Sequence, residues 1–181
     1  MTSFPESRRK LDEAQHFLAE LERASSRIPA RPEEFRHNLN AFLNAARSVT
    51  WVMQKEARDV YERVFGSWSQ SLSADDRDLM KFMNEERVKE TKREGSQPIR
   101  EQRKIRAELV PGVTVSGPPA PLVAEKYKKQ TGKDIPDELL HAYVIVDDQK
   151  YEIGGRKILV TDACRRYVGL LKDVEATVFR A

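Results

Sequence analysis

The sequence has few residues that could form disulfides or bind metal ions. It contains one cysteine and three histidines in 181 residues. Cys164 cannot form a disulfide within one chain, and no Cys/His group has the spacing of a metal site. The first ten residues have no apolar core of the signal-peptide type, and no segment approaches the roughly 18 uninterrupted apolar residues of a membrane span. These absences predict a cytoplasmic protein with no membrane association, no metal and no other cofactor.

A strong net charge is also missing. The 32 Lys and Arg residues and the 29 Asp and Glu residues leave a formal charge of only +3, so the chain as a whole does not indicate a nucleic-acid partner. Apolar residues make up 39% and charged residues 34%, which is typical of a helical protein with a heavily charged surface. There is no internal repeat, Gly-rich phosphate loop, Ser-His-Asp set or paired-carboxylate spacing. Function must therefore be sought in local clusters.

Residues 35–64 carry the longest apolar stripe in the chain. Its spacings alternate between four and three, which indicates one helix with several others packed against it. The members of the stripe are Phe35, Leu39, Phe42, Ala46, Val49, Met53, Ala57, Val60 and Val64. We predict that a helical bundle is organised around this segment.

The whole chain, residues 1–181, predicts one mainly α domain built as a four-helix bundle. The bundle helices are predicted at about residues 3–28, 33–65, 74–94 and 161–179, and a crossover at residues 95–141. Within the crossover we predict a short strand near residues 110–115 and a short helix at residues 122–130. Residues 142–160 predict a small antiparallel β meander before the last helix, with turns at residues 147–149 and at Gly154 and Gly155.

Residues 35–49, FRHNLNAFLNAARSV, are followed after a break by an arginine on a charged third helix. This arrangement resembles prokaryotic members of the HEPN superfamily (higher eukaryote and prokaryote nucleotide-binding), over roughly residues 32–95. The resemblance implies a HEPN-like helical bundle that is commonly dimeric. Many members are ribonucleases of toxin–antitoxin and defence systems, and others are non-catalytic proteins that bind RNA or a protein partner.

The catalytic signature of that superfamily is only partly present. It consists of an Arg, usually followed by Asn, and a His four to six residues after the Arg. Arg87 stands at the matching place, but Val88 replaces the Asn and no His follows before His141. Proton transfer at neutral pH needs a group with a pKa of about 6 to 7, whereas a lysine such as Lys92 titrates near about 10.4. The resemblance therefore implies a degenerate relative, with Arg87 as its one candidate catalytic residue.

The densest basic stretch runs from residue 81 to residue 108, where nine Lys or Arg and six Asp or Glu leave an excess of +3. The candidate phosphate-binding residues beside Arg87 are Lys89, Lys92, Arg93, Arg100, Arg103, Lys104 and Arg106. One interpretation is an RNA-binding surface, since Arg and Lys supply the sequence-independent part of RNA affinity. The other is a solvated helix end with Glu–Lys pairs.

The resemblance implies a helical protein that binds RNA or a protein partner without catalysis, in a bacterial stress or defence context. The alternatives are an active metal-independent endoribonuclease of the toxin type and a protein interaction scaffold that binds no nucleic acid. We also expect a homodimer. Trp51, Phe65 and Trp68 offer more large apolar surface than four short helices would cover.

Overall fold

The computed structural model describes residues 5–27, 31–91, 98–106, 120–136 and 143–180. The elements in these ranges are α1 (Pro5–Ser25), α2 (Pro32–Glu56), α3 (Arg58–Ser71), α4 (Ala74–Thr91), β1 (Ile99–Arg106), α5 (Ala120–Thr131), β2 (Tyr143–Ile153), β3 (Arg156–Leu159) and α6 (Val160–Arg180). The predicted mainly α architecture, with a small antiparallel sheet before the last helix, is confirmed. None of the described helices combines the length and apolar content needed to cross a membrane.

Two compact units are present, one formed by residues 1–100 with residues 149–181 and the other by residues 101–148. The first unit contains the helical core, in which α2 contacts α1, α3, α4 and α6. Its apolar stripe is buried as far as Met53, with Leu39, Phe42, Val49 and Met53 each at most 1% exposed, and is half-buried at Ala57, Val60 and Val64. Burying one such side chain stabilises the fold by roughly 1.5–3 kcal/mol, so the stripe is a main source of stability.

The predicted helix at residues 33–65 is in fact two helices. α2 ends and α3 begins on either side of Ala57, whose backbone angles, φ −139 and ψ 49, are not helical. Hydrogen bonds span the junction, because the Ala57 amide donates to Met53 at 2.9 Å and the Tyr61 amide donates to Ala57 at 2.8 Å. The spacing of Ala57, Val60 and Val64 is the same as in an unbroken helix. Periodicity therefore could not reveal the break.

The predicted helix end at residue 65 is also wrong, because α3 continues through Gly66 to Ser71. The hydroxyls of Ser67, Ser69 and Ser71 donate to backbone carbonyls three residues earlier, at 2.7–2.9 Å. Serines that bond in this way fit within a helix, although serine clusters often mark loops. The Ser-rich run therefore extends α3.

The sheet has the strand order β1-β2-β3. β2 runs without interruption, so the predicted turn at residues 147–149 is wrong. That segment contains no glycine to supply the positive φ that a two-residue hairpin turn favours. The turn at Gly154 and Gly155 is confirmed, with φ 57 and 74, and it aligns Tyr151 with Ile158 and Ile153 with Arg156.

The predicted crossover contains regular structure at both of its ends. β1 occupies its beginning, and the predicted short helix is confirmed as α5, which is followed by Gly132 at φ 70. The strand predicted near residues 110–115 lies outside the described residues, as do the last residues of the predicted third helix, 92–94.

Candidate functional site

The predicted basic residues that the structure describes lie on α4 and β1. Arg87 is half-buried and Lys89 is exposed on α4, and Arg100 is exposed on β1. The Lys89 ammonium donates to Glu86 at 2.6 Å, and Glu86 is only 3% exposed. Of the remaining predicted residues, Arg103, Lys104 and Arg106 belong to β1, and Lys92 and Arg93 lie outside the described residues. Lys89 thus has a structural role as the partner of a buried carboxylate.

The three aromatic side chains predicted to form a dimer surface differ in exposure. Trp51 is 49% exposed, Phe65 is half-buried and Trp68 is 6% exposed. The Trp68 indole N–H donates to the Asp173 carboxylate at 2.7 Å, which joins α3 to α6. Two of the three side chains are therefore largely covered by the chain itself.

A cleft of about 460 Å³, which the sequence prediction missed, lies between α2, α3, α4 and α6 in the first unit. Its volume is within the range of about 300 to 1,000 Å³ that is usual for small-molecule sites. Its cations are Arg47, Arg77 and Lys81, and its aromatic residues are Tyr61, Phe65, Trp68 and Tyr167. None of the described residues that line the cleft is Asp or Glu.

The break at Ala57 helps to form this cleft. The lining residues of α2 and α3 follow a single helical stripe with spacings of three, four or seven: Arg47, Thr50, Gln54, Tyr61, Phe65 and Trp68. The surface of a straight helix is convex and cannot enclose a cavity by itself. A change of direction at the break allows the parts of the stripe on α2 and on α3 to line one cavity. The stripe was visible in the sequence, but the change of direction at Ala57 was not.

The aromatic wall of the cleft comes from α3. The Tyr61 and Phe65 rings are stacked with centroids 4.8 Å apart, and the Phe65 and Trp68 rings are 5.5 Å apart. Because Trp68 is also bonded to Asp173, this wall is fixed to α6. The cleft therefore has one rigid apolar side before any ligand enters.

Arg47 is half-buried in the cleft and has no carboxylate partner among the described residues. One of its terminal nitrogens donates to the Thr50 hydroxyl at 2.7 Å. Burial raises the pKa of Tyr61 and of Tyr167 to about 12, and the positive charge of Arg47 opposes the rise at both. Both hydroxyls thus remain protonated at neutral pH, and no hydrogen bond joins either of them to another described residue.

The two other cations of the cleft differ from each other. Arg77 donates to the backbone carbonyls of Gln70 at 3.3 Å and Leu72 at 2.5 Å, so its charge lies at the carboxyl end of α3. Lys81 is exposed and forms no ion pair within the part of the chain that the structure describes. Arg77 is held by the fold, whereas Lys81 can turn towards a ligand.

A shallower pocket of about 420 Å³, the outer groove, is lined by Trp51, Gln54, Lys55 and Arg58. Gln54 lines the cleft as well, so the two are contiguous. The Lys55 ammonium lies 3.6 Å from the centroid of the Trp51 ring. The Arg58 guanidinium donates to the Glu62 carboxylate at 2.9 Å, and this bond raises the pKa of Arg58. The outer groove thus joins an exposed aromatic ring to two cations.

The residues of the predicted ribonuclease motif do not line these two pockets. Arg87 lines neither of them, and neither do His16 and His37, two of the three histidines of the chain. His141 lies outside the described residues. No group of three His, Cys, Asp or Glu side chains that could hold a metal ion occurs among the described residues.

Comparison with known families corrects the predicted resemblance. The model of the family described as bacteriophage lambda protein ea47 matches residues 4–152, which is more than half of the chain. Membership of the HEPN superfamily, and a HEPN-like bundle with it, was therefore wrongly predicted. An amphipathic helix followed by an arginine on a charged helix satisfies the packing needs of many helical bundles, so it does not identify one. No curated protein and no solved structure matches the chain.

Proposed function

The chain belongs to the family of bacteriophage lambda protein ea47, a name that specifies no chemistry, and we propose from its surface that it binds single-stranded nucleic acid without cleaving it. The observation that carries the proposal is the lining of the cleft and the outer groove. Their described lining contains five basic side chains and no acidic one: Arg47, Arg77 and Lys81 in the cleft, and Lys55 and Arg58 in the outer groove.

That lining is unlike the rest of the sequence, where acidic and basic residues are nearly balanced at 29 and 32. A contiguous cavity without a carboxylate has a local positive potential, which attracts anions and raises their rate of association. Phosphate groups of a nucleic acid are the anions that such a surface binds independently of sequence.

The exposed aromatic side chain favours single-stranded nucleic acid over a duplex as the ligand. Trp51 is 49% exposed beside Lys55, so its ring can stack on an unpaired base while the lysine meets a neighbouring phosphate. Bases in a duplex are already stacked and cannot use the ring in this way. RNA and DNA single strands share this chemistry, and direct comparison distinguishes them.

Fluorescence anisotropy with a labelled 20-nucleotide single-stranded RNA tests the proposal, with DNA of the same sequence and a duplex as further ligands. We expect the single strands to bind, with log affinity falling linearly against log salt by about 0.7 per contacted phosphate. Lys55→Met should reduce the slope by about 0.7. Trp51→Ala should weaken binding by about 5- to 150-fold, since stacking on one base contributes about 1–3 kcal/mol.

Arg36→Met provides the matched control. It removes one positive charge from the same helix, about 28 Å from Lys55 along the helix axis, and its wild-type partner is the exposed Glu33. This variant should retain the wild-type affinity and slope. Equal effects of the Arg36 and Lys55 substitutions would contradict the proposed surface. Degradation of the RNA on a denaturing gel would contradict the absence of cleavage.

A further inference from the structure

We infer that the cleft is a phosphate site that holds the terminal phosphate of a bound strand, with Arg47, Tyr61 and Tyr167 as its ligands. All three residues line the same cleft. The inference rests on the proposed function for the source of the phosphate, because it names the part of the strand that enters the cleft. The outer groove would then hold the nucleotides that follow.

The first argument is a cation that lacks a counter-ion. Arg47 is half-buried, and no described carboxylate pairs with it or lines the cleft. The Thr50 hydroxyl accepts a hydrogen bond from one terminal nitrogen of Arg47. The other N–H donors of the guanidinium are left for a ligand. A partly desolvated charge is stabilised by an opposite charge, so the cleft favours an anion.

The second argument is a pair of hydroxyls that lack a partner within the protein. Tyr167 is 3% exposed and Tyr61 is 8% exposed, and neither hydroxyl has a hydrogen-bond partner among the described residues. Both residues line the cleft, and neither hydroxyl oxygen is fully enclosed by the protein, so a ligand in the cleft can reach them. Because both are neutral donors at physiological pH, they suit oxygen atoms of a ligand that carries negative charge.

The number of donor groups favours a terminal phosphate over an internal one. A guanidinium and two hydroxyls are three separate donor groups, and a phosphomonoester presents three terminal oxygens to them. A phosphodiester within a strand presents two non-bridging oxygens and a lower charge. Inorganic phosphate and a nucleoside monophosphate carry the same group as a strand end, so the experiment includes both.

The test compares three single-stranded 10-nucleotide RNAs of one sequence: one with a 5′-phosphate, one with a 3′-phosphate and one with hydroxyls at both ends. We expect the wild-type protein to bind one or both phosphorylated strands about tenfold more tightly than the hydroxyl strand, as befits charge-assisted hydrogen bonds. Arg47→Met and Tyr167→Phe should each remove most of this preference. Tyr167→Phe deletes one oxygen and keeps the ring in the core, and a thermal melt verifies that each variant is folded.

Lys55→Met, in the outer groove, is the control, and it should weaken binding of all three strands alike while the preference persists. Equal binding of the three strands by the wild-type protein would overturn the phosphate site, but salt-dependent binding of the hydroxyl strand would still support the proposed function. If both Arg47→Met and Tyr167→Phe still preferred the phosphorylated strands, the assignment of these residues as phosphate ligands would also be overturned. Binding of a nucleoside monophosphate or inorganic phosphate that is lost in Arg47→Met, with no strand bound, would support the phosphate site and remove the proposed function.

Discussion

Among the described residues, the ion pair between core helices with the most deeply buried carboxylate joins two residues that are far apart in the sequence. Glu175 of α6 is 4% exposed, and the Arg8 guanidinium of α1 donates to its carboxylate at 2.8 Å. Arg8 itself is largely exposed. The positive charge of the arginine therefore offsets the cost of burying the Glu175 carboxylate.

Arg8→Ala should destabilise the protein by about 1–2 kcal/mol, because a buried carboxylate is left without its charge-assisted hydrogen bond. Urea unfolding measures the loss. Adding Glu175→Gln to the variant should restore part of it, since a neutral amide needs no counter-charge. Arg9→Ala is the control, because its partner Glu6 is exposed and such surface pairs contribute about 0–1 kcal/mol. A loss no larger in Arg8→Ala than in Arg9→Ala would contradict this role.

Individual residues were the hardest features to predict from the sequence. Trp51 and Trp68 lie on helices with similar patterns, and both were assigned to a predicted dimer surface. The residue that covers the polar edge of Trp68 is Asp173, which is 105 residues away and is itself a residue type expected at the surface. Long-range polar pairs of this kind leave no periodic signal, and neither does the position of Arg47 and Tyr167 in the lining of one cleft.

At the scale of elements, α4 is tied to α6 by a hydrogen-bonded ion pair. The Arg166 guanidinium of α6 donates to Asp76 at 2.6 Å, and this bond lowers the pKa of the Asp76 carboxyl. Burial opposes the shift, and the Ser73 hydroxyl adds to it by donating to the same carboxyl at 2.6 Å. The Ser73 hydroxyl also accepts from the Asp76 amide at 3.1 Å, so it caps the start of α4.

The lowered pKa of Asp76 predicts how stability depends on pH. Its contribution is present above the unfolded-state pKa of about 3.9 and is lost as the pH falls through the lower folded-state pKa. Arg166→Met should therefore be less stable than the wild-type protein at pH 6, and the difference should shrink below pH 4. Urea midpoints at several pH values measure it. Arg63 is an exposed residue of α3 with no ion pair among the described residues, so Arg63→Met is the control. The difference in urea midpoint between this variant and the wild-type protein should not change with pH. If the loss of stability in Arg166→Met were the same at every pH, the ion pair between Arg166 and Asp76 could not be its cause.

Helices were predicted better than their boundaries. The period of 3.6 residues is set by backbone geometry and by burial of one face, so α1, α2 and α6 were visible as apolar stripes. The break at Ala57 depends on a single backbone conformation and leaves the stripe intact. The continuous strand β2 was missed for a related reason, because its central polar residues suggested a turn at residues 147–149, where the strand in fact continues.

At the scale of the whole molecule, α6 is required to complete the core. It packs against α1, α2, α3 and α4, and Cys164, Leu171 and Val174 are fully buried. The family match ends at residue 152, before α6 begins. The segment beyond the match is therefore part of the same hydrophobic core as the segment within it.

A chain that ends at residue 159 should not fold cooperatively, because removal of α6 exposes the apolar faces of four helices. Its thermal melt, followed by circular dichroism, should show no sharp transition. Leu171→Ala is the milder comparison, with an expected loss of about 2–5 kcal/mol and a transition that is still cooperative. A cooperative melt of the shortened chain near the wild-type midpoint would show that α6 is dispensable.

Self-association stays a prediction. It was argued from three large aromatic side chains, of which Phe65 is half-buried and Trp68 is buried against α6, so the argument now depends on Trp51 alone. A light-scattering mass of only 20.8 kDa at micromolar concentration would contradict it.

The contrasting positions of the two tryptophans also give the protein two separate optical reporters. Trp68, shielded from water, should emit at shorter wavelength and resist quenching by iodide, whereas Trp51 should emit at longer wavelength and be quenched readily. A ligand confined to the outer groove should perturb the long-wavelength component alone, whereas a strand end that also enters the cleft beside Trp68 should perturb both components. Unfolding should move the short-wavelength component. Intrinsic fluorescence could thus follow occupancy of the groove and integrity of the core in one unlabelled sample.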